Sequence, residues 1–154
     1  MLLQQNNFVI RMIQLTNNNE IISEDITDKI VGFTNTNSAP VLGEDNMKYK
    51  IMFTNLTLSS EAKYITFQIS IKITDKYYNP YLFVPIKNEN KSCFDNGPER
   101  SVYYRIFNNN IDFTWMYFTR SGLDGILKDF NSSNDMIEPV EYLKEYMLAT
   151  QEKM

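Results

Sequence analysis

The alternation of apolar and polar side chains is most regular between Tyr64 and Thr74, where Ile65, Phe67, Ile69, Ile71 and Ile73 take every second position. Thr66, Gln68, Ser70 and Lys72 lie between them. Successive side chains leave a strand on opposite sides, so this spacing predicts a strand with one apolar face and one wet face. Tyr49, Ile51 and Phe53 alternate in the same way. With Ser59 to Lys63 as a connecting loop, the two segments are expected to form a hairpin. Tyr49 then pairs with Ile73, Ile51 with Ile71 and Phe53 with Ile69, all on one face.

A second hairpin is predicted around the Asn108-Asn109-Asn110 run. Val102, Tyr104 and Ile106 form one apolar row, and Ile111, Phe113, Trp115 and Tyr117 another. A two-residue turn at Asn108-Asn109 matches Ile106 to Ile111, Tyr104 to Phe113 and Val102 to Trp115, whereas a three-residue loop sets Ile106 against Asp112. Asparagine tolerates positive φ, which a type I′ turn demands at both central positions. This register puts Trp115 in the core.

Weaker strand patterns cover Phe8 to Leu15, Asp28 to Phe33 and Tyr81 to Ile86, the last pushed toward an edge or bulge by Pro85. The segments Thr34 to Met47 and Lys87 to Arg100 are polar and read as long loops, the second with a turn signal at Asn96-Gly97-Pro98. After residue 118 the period changes. Ser121 with Asp124 resembles a capping box, and Leu123, Ile126, Leu127 and Phe130 follow helical spacing, although Gly125 weakens it. Asp135 with Glu138 repeats the signal ahead of Ile137, Val140, Leu143 and Met147. Helices are expected at about 121–130 and 135–150. Strands within 8–118 followed by two helices indicate a single domain over 1–154, mainly β and bordering on α+β. A β-sandwich or curled antiparallel sheet with helices at one end or face fits that order.

Composition agrees with a folded domain: 43% of the 154 residues are hydrophobic and 14% aromatic, too much bulky side chain for a disordered chain. The single cysteine, Cys93, cannot form an internal disulfide, which excludes the secreted disulfide-scaffold class and fits a reducing compartment. No basic leader opens the chain and no stretch approaches about 20 apolar residues, so a cytoplasmic setting with no membrane partner is expected. Sequons at Asn55, Asn90 and Asn131 carry no weight in a chain this rich in asparagine. Scarce arginine, glycine and alanine beside abundant asparagine, isoleucine and lysine match A+T-rich coding DNA, as in a phage, a large virus or an A+T-rich bacterium.

The chain contains no histidine, which removes the commonest general base, the commonest metal ligand and every histidine-activated nucleophile. Zinc, with a single thiol and no imidazole to bind it, is excluded as an expectation. Carboxylates remain as acids, bases or Mg²⁺ and Ca²⁺ ligands. The densest groups, Glu24, Asp25 and Asp28 and then Glu44 with Asp45, read as solvated charge in exposed turns. The run Arg120 to Gly125 between strand and helix is placed as phosphate-binding turns are but matches neither glycine-rich fingerprint. Cys93 has only Lys91 nearby to activate it and reads as a passive thiol. No cofactor is expected.

A net charge of -4, with only Arg11, Arg100, Arg105 and Arg120 as guanidinium groups, argues against nucleic acid and for protein partners. The candidate interface is Tyr77, Tyr78, Tyr81, Phe94 and Arg100. Tyrosine clusters in loops supply large contact area with a polar tip. The functional expectation is a non-enzymatic interaction protein, an accessory or structural piece of a capsid, neck or tail, found in the host cytoplasm or the virion. A small inhibitor that blocks an enzyme, of the anti-defence or toxin-immunity type, is the alternative, and a carboxylate-dependent enzyme comes third. Self-association is left open.

Overall fold

A computed structural model describes residues 7–37, 47–73, 76–77, 81–96, 100–119, 121–123 and 140–149. In chain order its strands are β1 (Phe8–Thr16), β2 (Ile21–Asp25), β3 (Ile30–Asn37), β4 (Met47–Thr57), β5 (Ala62–Ile73), β6 (Lys76–Tyr77), β7 (Tyr81–Leu82), β8 (Ile86–Lys87), β9 (Lys91–Asn96), β10 (Arg100–Phe107) and β11 (Asn110–Thr119). A 3-10 turn at Thr27–Lys29 links β2 to β3. The first sheet runs β2-β1-β5-β6, with β7 and β8 also paired to β5. The second runs β3-β4-β11-β10-β9. Both are antiparallel, neither closes into a barrel, and short helices follow the strands, so the expected mainly β class with two C-terminal helices is the observed one.

The two best strand patterns are both present but do not pair. β4 lies in the second sheet between β3 and β11, and β5 lies in the first sheet beside β1. Tyr49, Ile51 and Phe53 on one side, and Ile65, Phe67, Ile69 and Ile71 on the other, are all buried and meet face to face across the sandwich. Phe53 and Phe67 stack with ring centroids 6.5 Å apart. The expected β4–β5 hairpin is therefore an arch. Apolar alternation shows which side chains seek the core, and a strand beside and a strand opposite satisfy it equally. Buried Leu58 anchors the crossing, and the Ser59 backbone N–H donates to Gln14 Oε1 at 2.8 Å.

The β10–β11 turn is as expected. Asn108 and Asn109 have φ of 49° and 60°, and Ile106 pairs with Ile111. Beyond that pair the register changes: Arg105 faces Phe113, Tyr104 faces Thr114, and Val102 faces Met116 rather than Trp115. Asp112 is the extra residue of a β-bulge. β4 makes the same change of side at Asn55, whose φ is 54°, because Phe53 and Leu56 are both buried although they stand an odd three positions apart. A bulge reverses the facing of everything beyond it. Thr114, Met116 and Phe118 consequently point inward, and Trp115 lies on the outer side instead of in the core. Small Thr114 beside Tyr104 leaves room for the Tyr104 ring to stack on Phe67 at 5.3 Å, and its hydroxyl donates to the Tyr103 carbonyl.

The face of β5 expected to be wet is covered. Thr66, Gln68 and Ser70 are all buried, and Thr66 donates its hydroxyl to the Phe83 carbonyl at 2.5 Å. On the same outer side the C-terminal helix Val140–Ala149 buries Leu143 and Met147 against Ile13 and Leu15 of β1. The Tyr146 hydroxyl lies 2.9 Å from the Phe83 carbonyl and 3.1 Å from that of Leu82. Fully burying Leu143 and Met147 contributes roughly 1.5–3 kcal/mol each, which fastens the helix as a third layer. Val140, placed on the apolar stripe by its spacing, is exposed.

Smaller corrections follow the same principle of tertiary pairing. The segment Lys87 to Arg100, read as a loop, contains β9, held along β10 from Ser101 to Ile106. Strand β2 carries Glu24 and Asp25 on an edge of the first sheet rather than in a turn, and Glu24 pairs with Lys29 at 2.7 Å. Pro85 interrupts the Tyr81 to Ile86 run, dividing it into β7 and β8. Helical residues begin at 121, while Asp124, Gly125, Ile126, Leu127, Phe130, Ile137, the Glu44–Asp45 pair, Asn131 and the Gly97–Pro98 turn lie outside the described residues.

Candidate aromatic interface on the second sheet

The bulge at Asp112 builds the surface that stands out. Past it, Phe113, Trp115 and Tyr117 of β11 alternate outward, and Tyr103 of β10 joins them, each half-buried. Backbone pairing sets one row across the sheet, in which Gly32 partners Met52, Met52 partners Trp115, Trp115 partners Tyr103 and Tyr103 partners Phe94. Tyr103 stacks on Trp115 with centroids 4.4 Å apart and planes at 16°. Phe113 meets the indole edge-on at 5.3 Å. The Lys50 ammonium lies 4.5 Å from the indole centroid. Because β4 and β10 flank β11, the lysine and the tyrosine approach the indole from opposite sides.

Gly32 is what lets the row extend to β3. A Cβ built there would stand 2.2 Å from Met52 Cε, so the methionine lies across the glycine and fills the end of the row.

The charges on this face are mostly positive among the described residues. Lys48 and Lys50 alternate along β4 and make no ion pair with a described residue. Arg105 donates from Nε to both Asp112 carboxylate oxygens, at 2.9 and 3.0 Å. That carboxylate, through hydrogen bonding first and charge second, raises the Arg105 pKa further above its already high ordinary value. Beside the pair is a shallow cleft of about 340 Å³ lined by Lys91, Phe107 and Asp112. Its cations are already engaged, Arg105 by Asp112 and Lys91 by Glu89 at 3.4 Å.

The residues singled out from the sequence are divided by the fold. Tyr81 and Arg100 come together from different sheets, the guanidinium 4.7 Å from the ring centroid, but Tyr81 also packs edge-on against core Phe83 at 5.1 Å. Their contact therefore closes one side of the sandwich. Tyr77 lies on β6, where its backbone pairs with Lys72, and Phe94 lies on β9 opposite Tyr103. Tyr78 lies outside the described residues. Lys50, Met52, Tyr103, Phe113 and Trp115 were missed as a surface. Residues 115–118 are apolar in both alternating rows, which is the available signal that either row could face outward.

Among the described residues no group of three or more Cys, Asp or Glu side chains is placed to hold a metal ion. No helix among them is long and apolar enough to cross a membrane. With its faces approached by Tyr103 and Lys50, the indole offers a ligand mainly its edge, beside lysine ammonium groups that have no ion-pair partner among the described residues. The arrangement joins aromatic contact area to positive charge. Comparison of the chain with protein-family models, curated proteins and solved structures returns no match.

Proposed function

We propose that the chain is a non-enzymatic interaction protein whose binding surface is the outer face of the second sheet. The observation that carries this reading is the Tyr103–Trp115–Phe113 cluster with Lys50 above it, half-buried on a sheet face while the corresponding face of the first sheet is sealed by a helix. Tyrosine and tryptophan dominate binding hot spots because they bury large area at low entropic cost and keep a polar tip. Here they are also pre-ordered by stacking on one another, which reduces what association must immobilise.

The setting we favour is an accessory or structural piece of a phage or other viral particle, acting in the host cytoplasm or the virion, on the strength of the A+T-rich coding bias. Affinity purification of the tagged chain from its native host or infected cells tests the surface. A partner should accompany the wild type and be lost with Phe113→Ser and Trp115→Ser at unchanged far-UV circular dichroism. Retention on both variants rejects the reading. Repeated copies in purified particles would support the viral setting, whereas a one-to-one soluble complex with an enzyme would replace it with an inhibitor.

A further inference from the structure

Which partner fits this face follows from its charge. Lys48 and Lys50 stand on the outer side of β4, two residues apart and without ion-pair partners among the described residues, Lys50 over the Trp115 ring and in backbone register with Tyr117. Asp112 is the described carboxylate on the face, and Arg105 neutralises it. The surface is thus locally cationic on a chain of net charge -4.

Resting on the interface reading above, we infer that this face receives an extended acidic segment of a partner protein, carboxylates on Lys48 and Lys50 and apolar side chains on the Trp115–Phe113 edges. Side chains on one side of a strand recur about every 7 Å, so Asp or Glu at alternate positions of an extended peptide matches the two lysines in spacing. The intervening carbonyls and amides stay solvated, and no ordering of the aromatic row is needed.

Single-stranded nucleic acid, the other polyanion that combines with aromatic surfaces, fits less well. Its affinity comes from bases stacked on open ring faces and from a track of cations. Here Tyr103 and Lys50 approach the two sides of the indole, Lys48 and Lys50, the described lysines of β4, make no track by themselves, and the net charge repels a long polyanion. A second copy docking by the same face would set lysines against lysines.

The only tryptophan of the chain lies inside the proposed site, which supplies the assay. Trp115 fluorescence is titrated with the eight-residue peptide Glu-Ser-Glu-Ser-Leu-Ser-Leu-Ser, whose Glu and Leu side chains share one side when extended, the same peptide with Gln for Glu, and a ten-nucleotide oligo-dT. The Glu peptide should change the emission saturably, and its affinity should fall between about 0.05 and 0.3 M salt as screening grows. It should be weakened about tenfold or more by K48E/K50E, and should survive K50R. Thermal midpoints of the variants confirm folding. Equal binding of the Gln peptide, absence of peptide binding, or binding of oligo-dT alone each overturns the inference. The interface reading itself fails on a different result, retention of the native partner by the Phe113 and Trp115 variants, which does not depend on peptide charge.

Discussion

Phe53 and Phe67 lie nearly parallel, with planes at 14° and centroids 6.5 Å apart, and belong to different sheets although their strands are consecutive in the chain. Phe67 also stacks on Tyr104, so it is held from two strands of the opposite sheet. Truncating either phenylalanine removes aromatic contact from both layers. Phe67→Ala is expected to cost about 3–5 kcal/mol in urea denaturation. A double-mutant cycle between Phe53 and Phe67 should give a coupling of about 0.5–1.5 kcal/mol. In a β4–β5 hairpin Phe53 would couple to Ile69 instead, so a larger Phe53–Ile69 term would reject the arch.

Trp115 reports the bulge. An unbroken alternation from Ile111 would bury the indole, whereas the observed register leaves it half-buried beside Lys50. Its emission in the free protein should be quenched by acrylamide to a degree between that of a core tryptophan and free indole. Deleting Asp112 should remove the bulge yet keep the two rows, because Phe113 then follows buried Ile111 directly and stays outward. The deletion variant should therefore leave Trp115 as open to acrylamide as in the wild type, while losing the Arg105–Asp112 ion pair. Wild-type emission that resists quencher altogether would contradict the outward placement.

What the sequence made legible differs from residue to residue for physical reasons. Strand β5 and the Asn108-Asn109 turn could be read because period two and positive φ are local properties. The partner of β4 could not, since an apolar row is satisfied equally beside or opposite its mate. The outward position of Trp115 depends on a single extra residue, Asp112, in a stretch where Thr114, Met116 and Phe118 compete with Phe113, Trp115 and Tyr117 for the core. The buried Thr66, Gln68 and Ser70 look solvent-facing until the helix and the Phe83 carbonyl are brought over them. The candidate site inherited these misplacements: Arg100 and Tyr81 do meet, but the main aromatic surface had been assigned to the core.

Asparagine has a structural use at the β10–β11 end of the sandwich. Asn109 donates to the Leu58 carbonyl at 3.0 Å and accepts from Asn88 Nδ2 at 2.8 Å, while Asn88 also reaches the Ala62 carbonyl. Asn90 Oδ1 accepts from the Asn108 backbone N–H at 2.8 Å. These bonds tie the β4–β5 arch and the segment after β8 to the turn. Asn108→Gly keeps the backbone geometry and should be nearly neutral. Asn109→Gly keeps the geometry but removes two side-chain bonds, and is expected to cost about 1–2 kcal/mol. The measurement is the denaturation midpoint at constant urea dependence, and equal effects of the two substitutions would reject the tie.

Gly32 and Met52 should be coupled through one contact. An alanine Cβ at Gly32 would stand 2.2 Å from Met52 Cε, a distance that cannot persist, yet the obstructing atom is the end of a flexible side chain. Gly32→Ala should therefore cost on the order of 1 kcal/mol by displacing the methionine, within the range of mild overpacking. Met52→Ala removes a half-buried side chain and should cost a similar amount. Once Met52 is shortened nothing blocks the new methyl group, so the double variant should be more stable than the sum of the singles by at least about 0.5 kcal/mol. The displaced methionine must also disturb its row partner, Trp115. Gly32→Ala alone should shift Trp115 emission, and Met52→Ala should remove the further effect of adding Gly32→Ala. Strict additivity in both stability and emission would show that the methionine does not lie across the glycine.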